Sequence, residues 1–221
     1  MSNNESKVMT QYASYGVRLN YVIFPIDFRD LRHALAKNGY ELSSVRGPIP
    51  SPPIRIGFTG DIARKGETTV IIETDSGEIS VTGRSLQKVK TAFEELTDLI
   101  KRELGVSLDL NIKYYLCHLH CKTDTGKIPR DEIAKAENRD FFSRLGQVLG
   151  VDVAPFSIRL CPKGAIPNHE NWFDISIEPD TVNEKMYHLG VVFRSPDKEK
   201  TETFVRDLES NILKLIKVIE A

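Results

Sequence analysis

Two segments that are predicted to join a strand to a helix share five of eight residues at a constant separation of 110 positions. They read RSLQKVKT over Arg84–Thr91 and RSPDKEKT over Arg194–Thr201. A second match, IRI over Ile54–Ile56 and IRL over Ile158–Leu160, has a separation of 104. Both matches occupy equivalent places in two stretches with the same order of predicted elements, which indicates an internal duplication. The alternative is that two unrelated segments converged on the same way to begin a helix.

The first predicted unit covers residues 15–107, after a lead-in of residues 1–14 that we expect to be mobile. Its order is strand, helix, three strands and helix. The first strand is predicted over Val17–Phe24, and Arg64-Lys65-Gly66 has the pattern of a hairpin turn. The other predicted elements are a helix from Asp27 to Asn38, a stiff connector over Gly47–Pro53, strands over Ile54–Thr59, Glu67–Thr74 and Glu78–Thr82, and a helix from Ser85 to Gly105.

The second predicted unit covers residues 108–221 and repeats this order. Its last helix begins at Ser195-Pro196, which fits an N-cap followed by a first helical residue. Its other predicted elements are a long strand over Leu108–Cys121, a helix from Pro129 to Gly150, and strands over Phe156–Leu160, Trp172–Glu178 and Lys185–Phe193. The apolar stripe of the middle helix, which we expect to be buried, consists of Ile133, Phe141, Phe142, Leu145 and Leu149.

The order of elements in each unit predicts an antiparallel sheet with both helices on one face. The expected fold class is therefore α+β. Two such units joined edge to edge would form one long curved sheet. The helices would cover the convex side, and the concave face would be open. Two separately packed domains are the alternative arrangement.

The segment Ile79–Lys101, ISVTGRSLQKVKTAFEELTDLIK, resembles the corresponding segment of the TATA-binding protein family. In that family a strand ends in a Thr-Gly pair and leads into a long amphipathic helix, twice in each chain. The duplicated order over residues 15–220 is also similar. The chain resembles, in addition, uncharacterised prokaryotic proteins with this pattern. The resemblance implies the fold. It does not extend to duplex DNA binding, because the phenylalanines that would serve as intercalating wedges are predicted to be core or helix residues: Phe28, Phe58, Phe141 and Phe142.

Charge and cysteine content narrow the class of protein. Residues 1–109 carry 14 basic and 14 acidic side chains, and residues 110–221 carry 16 and 17. Neither half is basic, so duplex DNA and anionic membrane surfaces are unexpected partners. Three cysteines in 221 residues, without an apolar leader or a run long enough to span a bilayer, predict a cytoplasmic protein that is not in a membrane.

The string Cys117-His118-Leu119-His120-Cys121 combines thiol and imidazole groups, which are ligands for zinc. Alternate residues of a strand face opposite ways, so the two histidines share one face and the two cysteines share the other. The four side chains therefore cannot bind one ion. A site built on His118 and His120 would need a third ligand such as His188. We expect ordinary histidines here, with no metal and no cofactor.

A second group of candidate residues belongs to the predicted strands of the second unit. The aliphatic residues of these strands are expected to face the helices, which directs the alternate polar residues to the open face. These candidate ligand-binding residues are Arg159, Trp172, Asp174, Glu178 and His188. General acid–base chemistry or binding of a small polar ligand is one interpretation, and a solvated surface with cross-strand charge pairs is the other.

The two predicted helix starts are candidate anion sites, because backbone N–H groups and the helix dipole favour negative charge there. The residues are Arg84, Ser85, Lys88, Arg194, Ser195 and Lys198. Helix capping with surface charge explains the same residues without a ligand.

No catalytic or nucleotide-binding motif occurs in the sequence, so an enzyme is not the first expectation. The leading hypothesis is a binding protein that uses the open sheet face or an exposed edge strand to bind a protein partner or another copy of itself. The second is a small-ligand receptor or enzyme using the polar group of the second unit. The third is single-stranded nucleic-acid binding, with stacking on Tyr21, Tyr115 or Trp172.

Overall fold

The computed structural model describes residues 7–21, 24–44, 59–135, 139–167 and 169–221. Nine strands and five α-helices are present in these ranges. The strands are β1 (Met9–Leu19), β2 (Glu41–Leu42), β3 (Thr59–Lys65), β4 (Thr68–Glu73), β5 (Glu78–Gly83), β6 (Ile112–Asp124), β7 (Ile158–Leu160), β8 (Trp172–Pro179) and β9 (Met186–Ser195). The helices are α1 (Phe28–Lys37), α2 (Leu86–Leu104), α3 (Pro129–Lys135), α4 (Arg139–Leu149) and α5 (Lys198–Ile219), with a short 3-10 helix over Leu108–Asn111.

All nine strands belong to one antiparallel sheet, in the order β2-β3-β4-β5-β1-β6-β9-β8-β7. This confirms the expected α+β class. The two longest strands, β1 and β6, pair at the centre, where Ser14 lies opposite His118. On one side of this pair follow β5, β4 and β3, and on the other follow β9, β8 and β7.

The core lies between the sheet and its helices. Helix α2 packs on β1 and β5, α5 packs on β6 and β9, and α1 packs against α2. Alternate residues of β1 (Ala13, Tyr15 and Val17) are almost completely buried in this layer. The stripe of α2 lies in the same core, and the left-handed Gly105 ends this helix as the sequence predicts.

Three local predictions were wrong. The first strand begins at Met9, not at Val17, and so includes residues that were expected to precede the fold. The N-cap of α5 is Asp197, whose carboxylate accepts a hydrogen bond from the backbone of Lys200, so Ser195 belongs to β9 instead. The strand Thr59–Lys65 was missed, whereas the predicted elements over residues 47–58 lie outside the described residues.

In the second unit, α3 and α4 lie within the range of the predicted helix, and residues 136–138 between them are outside the described residues. The expected buried stripe is wrong. Ile133 of α3 is fully buried. Phe141, Leu145 and Leu149 of α4 are exposed, and Phe142 is only partly buried. The apolar residues of α4 therefore recur on one face of the helix, as the sequence predicts, but that apolar face is not buried against the sheet.

Within the described ranges, each helix is too short or too polar to span a lipid bilayer.

Candidate functional site: the open face of the sheet

The open face is the side of the sheet that carries the strand residues pointing away from the helices. Its residues differ in exposure: Tyr12 and His120 are exposed, whereas Ser14, Tyr114 and Leu116 are buried. On the four strands β1, β6, β9 and β8 these residues form rows across the sheet, because neighbouring strands are antiparallel and in register. One row runs from Tyr12 through His120 and Gly190 to Ser176, and Arg159 of β7 follows it.

The five candidate residues of the second unit all lie on this face, but they do not meet at one point. Arg159 binds Asp174, with its Nε 2.8 Å from Oδ1 and a second guanidinium nitrogen on Oδ2. His188 Nδ1 lies 3.1 Å from Glu178 Oε1. Trp172 pairs across the strands with Arg194. The arrangement is thus two separate cross-strand pairs and one aromatic side chain.

Three rings form a continuous array across β1, β6 and β9. The ring centroids of Tyr12 and His120 are 5.9 Å apart, and those of His120 and His188 are 5.8 Å apart with nearly parallel planes. Gly190 lies opposite His120, and a side chain there would come within 3.6 Å of the imidazole. Tyr12 is 38% exposed. Its place in this array could not be expected from a strand predicted to begin at Val17, because Tyr12 precedes that residue.

The face assignments of the CHLHC string are as strand alternation predicts. Cys117 and Cys121 are buried on the helix side, and burial raises the pKa of each thiol to about 12. His118 and His120 lie on the open face. Burial lowers the pKa of His118, and the nearby His120 and Arg194 lower it further. Among the described residues no group of three or more His, Cys, Asp or Glu is arranged to hold a metal ion.

Two arginines flank one tyrosine on the open face. Arg18 of β1 lies opposite Tyr114 of β6 and donates a hydrogen bond of 3.1 Å to its hydroxyl. The guanidinium carbons of Arg18 and Arg194 are 5.9 and 5.5 Å from the centroid of the Tyr114 ring. These distances are typical of cation–π contacts. Alternation along the predicted strand Leu108–Cys121 places Tyr114 on the same face as the histidines, but nothing in the sequence links it to Arg18.

Two glutamates face each other in the first half of the sheet. Glu73 of β4 pairs with Glu78 of β5, and Arg18 is the next residue across, on β1. Burial raises the pKa of the Glu78 carboxyl, and the facing carboxylate of Glu73 raises it further. The first half therefore carries acidic groups on this face, in addition to the serine and threonine side chains.

The two helix starts do not form equivalent anion sites. Ser85 caps α2 by accepting a hydrogen bond from the backbone of Lys88, and the Lys88 ammonium is 2.7 Å from Glu67. Ser195 is fully buried, and its hydroxyl accepts from the backbone of Asp197. Arg84 and Lys198 are exposed, whereas Arg194 belongs to the open face, where it donates a hydrogen bond to the carbonyl of Pro167.

The tyrosines expected to stack nucleobases are placed differently from the prediction. Tyr115 faces the helices and is 8% exposed. Tyr21 lies beyond the end of β1 and accepts a hydrogen bond of 2.6 Å from Asn111. Tyr12 and Tyr114 are the tyrosines of the open face.

Compared with models of known protein families, the chain matches none, and a comparison with curated proteins gives no significant match.

Proposed function

We propose that this chain is a non-catalytic binding protein whose open face docks a protein partner. The observation that carries the proposal is the ring array of Tyr12, His120 and His188 on the face of the sheet opposite to helices α2 and α5. Tyrosine, tryptophan and arginine are enriched in protein interfaces, and all three lie on this face.

The open face is also what an internal duplication would create. If the match between the two strand-to-helix junctions extends back into the preceding strands, each residue of β9 corresponds to the residue of β5 that lies 110 positions earlier. The pairing of β1 with β5 and of β6 with β9 then makes Ser14 and His118 equivalent residues. They lie opposite each other at the centre of the sheet, where a twofold relationship between two copies would place its axis. The TATA-binding-protein-like arrangement remains part of this proposal.

The second hypothesis, a receptor or enzyme for a small polar ligand, has less support from the geometry. Arg159 and Asp174 form an ion pair with each other, and Glu178 contacts His188. A site for a small ligand requires several polar groups that converge on one volume. Here they form separate pairs across the strands.

Single-stranded RNA is the other candidate partner, and the ring array specifically favours it, since bases stack on aromatic side chains of sheets. The acidic pair Glu73 and Glu78 opposes it, because a polyanion would be repelled along that part of the face. A protein partner is therefore the primary proposal.

The experiment is site-specific photocrosslinking in cells with a benzophenone amino acid. Replacing Tyr12 or Glu178 tests the open face, and replacing the exposed Gln87 on α2 is the control. We expect a discrete protein adduct from the two open-face positions only. Adducts that nuclease removes would favour RNA, and identical adducts from all three positions would contradict docking on this face.

A further inference from the structure

The charged side chains of the open face fall into two groups. In the second half Arg159 pairs with Asp174, Glu178 contacts His188, and Lys122 Nζ lies 2.5 Å from the adjoining Asp180. Around the Tyr114 ring and on the neighbouring strands, Arg18, Arg194, Glu73 and Glu78 form no ion pair of 4 Å or less with another described residue, although Glu78 lies directly opposite Arg18 and interacts with it electrostatically.

Arg18 and Arg194 are held together on one ring, and neither forms an ion pair of 4 Å or less with a described residue, although Glu78 lies opposite Arg18. Both guanidinium groups lie within 6 Å of the Tyr114 ring centroid. Within the described part of the chain, both arginines donate hydrogen bonds only to neutral oxygens, the Tyr114 hydroxyl and the Pro167 carbonyl. The buried Nε of Arg194 has no hydrogen-bond partner. Two partly buried guanidinium groups side by side repel each other, and Glu78 accepts no hydrogen bond from either of them in the described part of the chain, so a bound anion would be favourable.

We propose that Arg18 and Arg194 bind a carboxylate of the partner that docks on the open face, with Tyr114 holding the two guanidinium groups in place. This inference rests on the proposed function. Guanidinium groups bind carboxylates and phosphates through paired N–H donors, so either anion fits the arginines alone. Glu73 and Glu78, on the strands that follow Arg18, select an isolated acidic side chain over a nucleic-acid backbone, which would bring further phosphates against them.

Acetate tests this site without the partner. The full-length chain, labelled with nitrogen-15, is titrated with sodium acetate, and sodium chloride of equal ionic strength is the reference. The Nε–Hε signals of Arg18 and Arg194 are followed by NMR. We expect saturable shifts with acetate and only a small linear drift with chloride.

The variants Arg194→Gln and Arg18→Gln should each weaken acetate binding by roughly fivefold or more, because each removes one of two charge-assisted donors. Arg159→Gln is the matched control, since this open-face arginine already binds Asp174, and it should leave the titration unchanged. Amide spectra that superimpose away from the substitution verify that each variant is folded.

Equal drift in acetate and chloride would overturn the proposal, as would saturation that survives both substitutions. Saturation by inorganic phosphate but not by acetate would also overturn it in favour of a phosphate-bearing ligand. Failure of the acetate titration would leave the crosslinking result intact, so the two proposals fail separately.

Discussion

The carboxylate of Asp180 accepts a hydrogen bond from the ammonium group of Lys122, with 2.5 Å between the two heavy atoms and the acid side chain 4% exposed. The backbone N–H groups of Val182 and Asn183 donate to the other oxygen. Together these donors lower the pKa of Asp180 to about 2. The pair fixes the turn between β8 and β9 against β6.

Replacing Asp180 by Asn should therefore destabilise the fold by roughly 1.5–3 kcal/mol, as expected when buried hydrogen bonds to a charged group are lost. Because the folded pKa lies below the unfolded value of about 3.9, the contribution is present at neutral pH and is lost as pH falls from about 4 through 2. Urea denaturation at pH 7 and at pH 3 measures both effects. Asp174→Asn is the control, since its partner Arg159 is 74% exposed, and it should change stability by less than about 1 kcal/mol.

Two glycines of the open face should differ in their tolerance of a methyl group. A Cβ on Gly16 would lie 2.3 Å from the carbonyl oxygen of Ile79 and 2.5 Å from Cβ of Ser80, so the backbones of β1 and β5 would have to separate. We expect Gly16→Ala to lower the free energy of unfolding by about 1–3 kcal/mol or more. A Cβ on Gly190 meets the hydroxyl oxygen of Ser176, which can rotate away. Thermal melts in which Gly190→Ala lowers the melting temperature as much as Gly16→Ala does would contradict this explanation.

Glu78→Gln should stabilise the protein at neutral pH. Burial and the facing Glu73 raise the pKa of Glu78, so the folded state favours the protonated carboxyl. The contribution of the protonated Glu78 carboxyl to the stability of the fold is therefore fully present below the unfolded pKa. It is lost as pH rises through the folded pKa. Removing one of two like charges that face each other across neighbouring strands should raise the free energy of unfolding by roughly 0.2–1 kcal/mol.

The measurement is the difference in urea midpoint between Glu78→Gln and the original chain, at pH 7 and at pH 4. The gain should be larger at pH 7. A gain that is independent of pH would show that charge is not its cause, and Glu78→Leu would not serve here because it also changes apolar burial.

The three thiols should react at very different rates. Cys161 is exposed, whereas Cys117 and Cys121 are fully buried on the helix side, and burial raises the pKa of both to about 12. A thiol must be deprotonated and accessible to react. Titration with a disulfide reagent at pH 8 should therefore label one thiol rapidly in the folded protein and three after denaturation. Cys161→Ser should abolish the rapid phase, and a rapid phase that survives this change would contradict the assigned burial.

Strand alternation allowed much of the open face to be predicted, because the side-chain period of a strand is independent of what lies beside it. It assigned His118 and His120 to one face and the cysteines to the other. It also brought Arg159, Asp174, Glu178 and His188 onto one surface. The pairing of Arg159 with Asp174 and of Glu178 with His188 followed only from the register.

The start of β1 could not be predicted from its own residues. The segment MTQYASYG contains glutamine, serine and glycine, which have little preference for strands. It is a strand because it pairs with β5 on one side and β6 on the other. The cluster of Arg18, Tyr114 and Arg194 depends on the same long-range pairings, so a local pattern could not reveal it.

The misassigned burial of α4 has a different cause. Its apolar residues recur at helical spacing, which shows that the helix has an apolar face but not which surface meets it.

The central pairing of β1 with β6 joins residues about a hundred positions apart, such as Ser14 and His118. On the ribosome, β1 emerges first and its edge toward β6 stays unpaired until more than half of the chain has been made. Contacts of such long sequence separation slow folding, because a large loop must close before they form. A nascent or truncated chain that ends before β6 would expose this edge as a template for another polypeptide, so synthesis of the second half protects the first from aggregation.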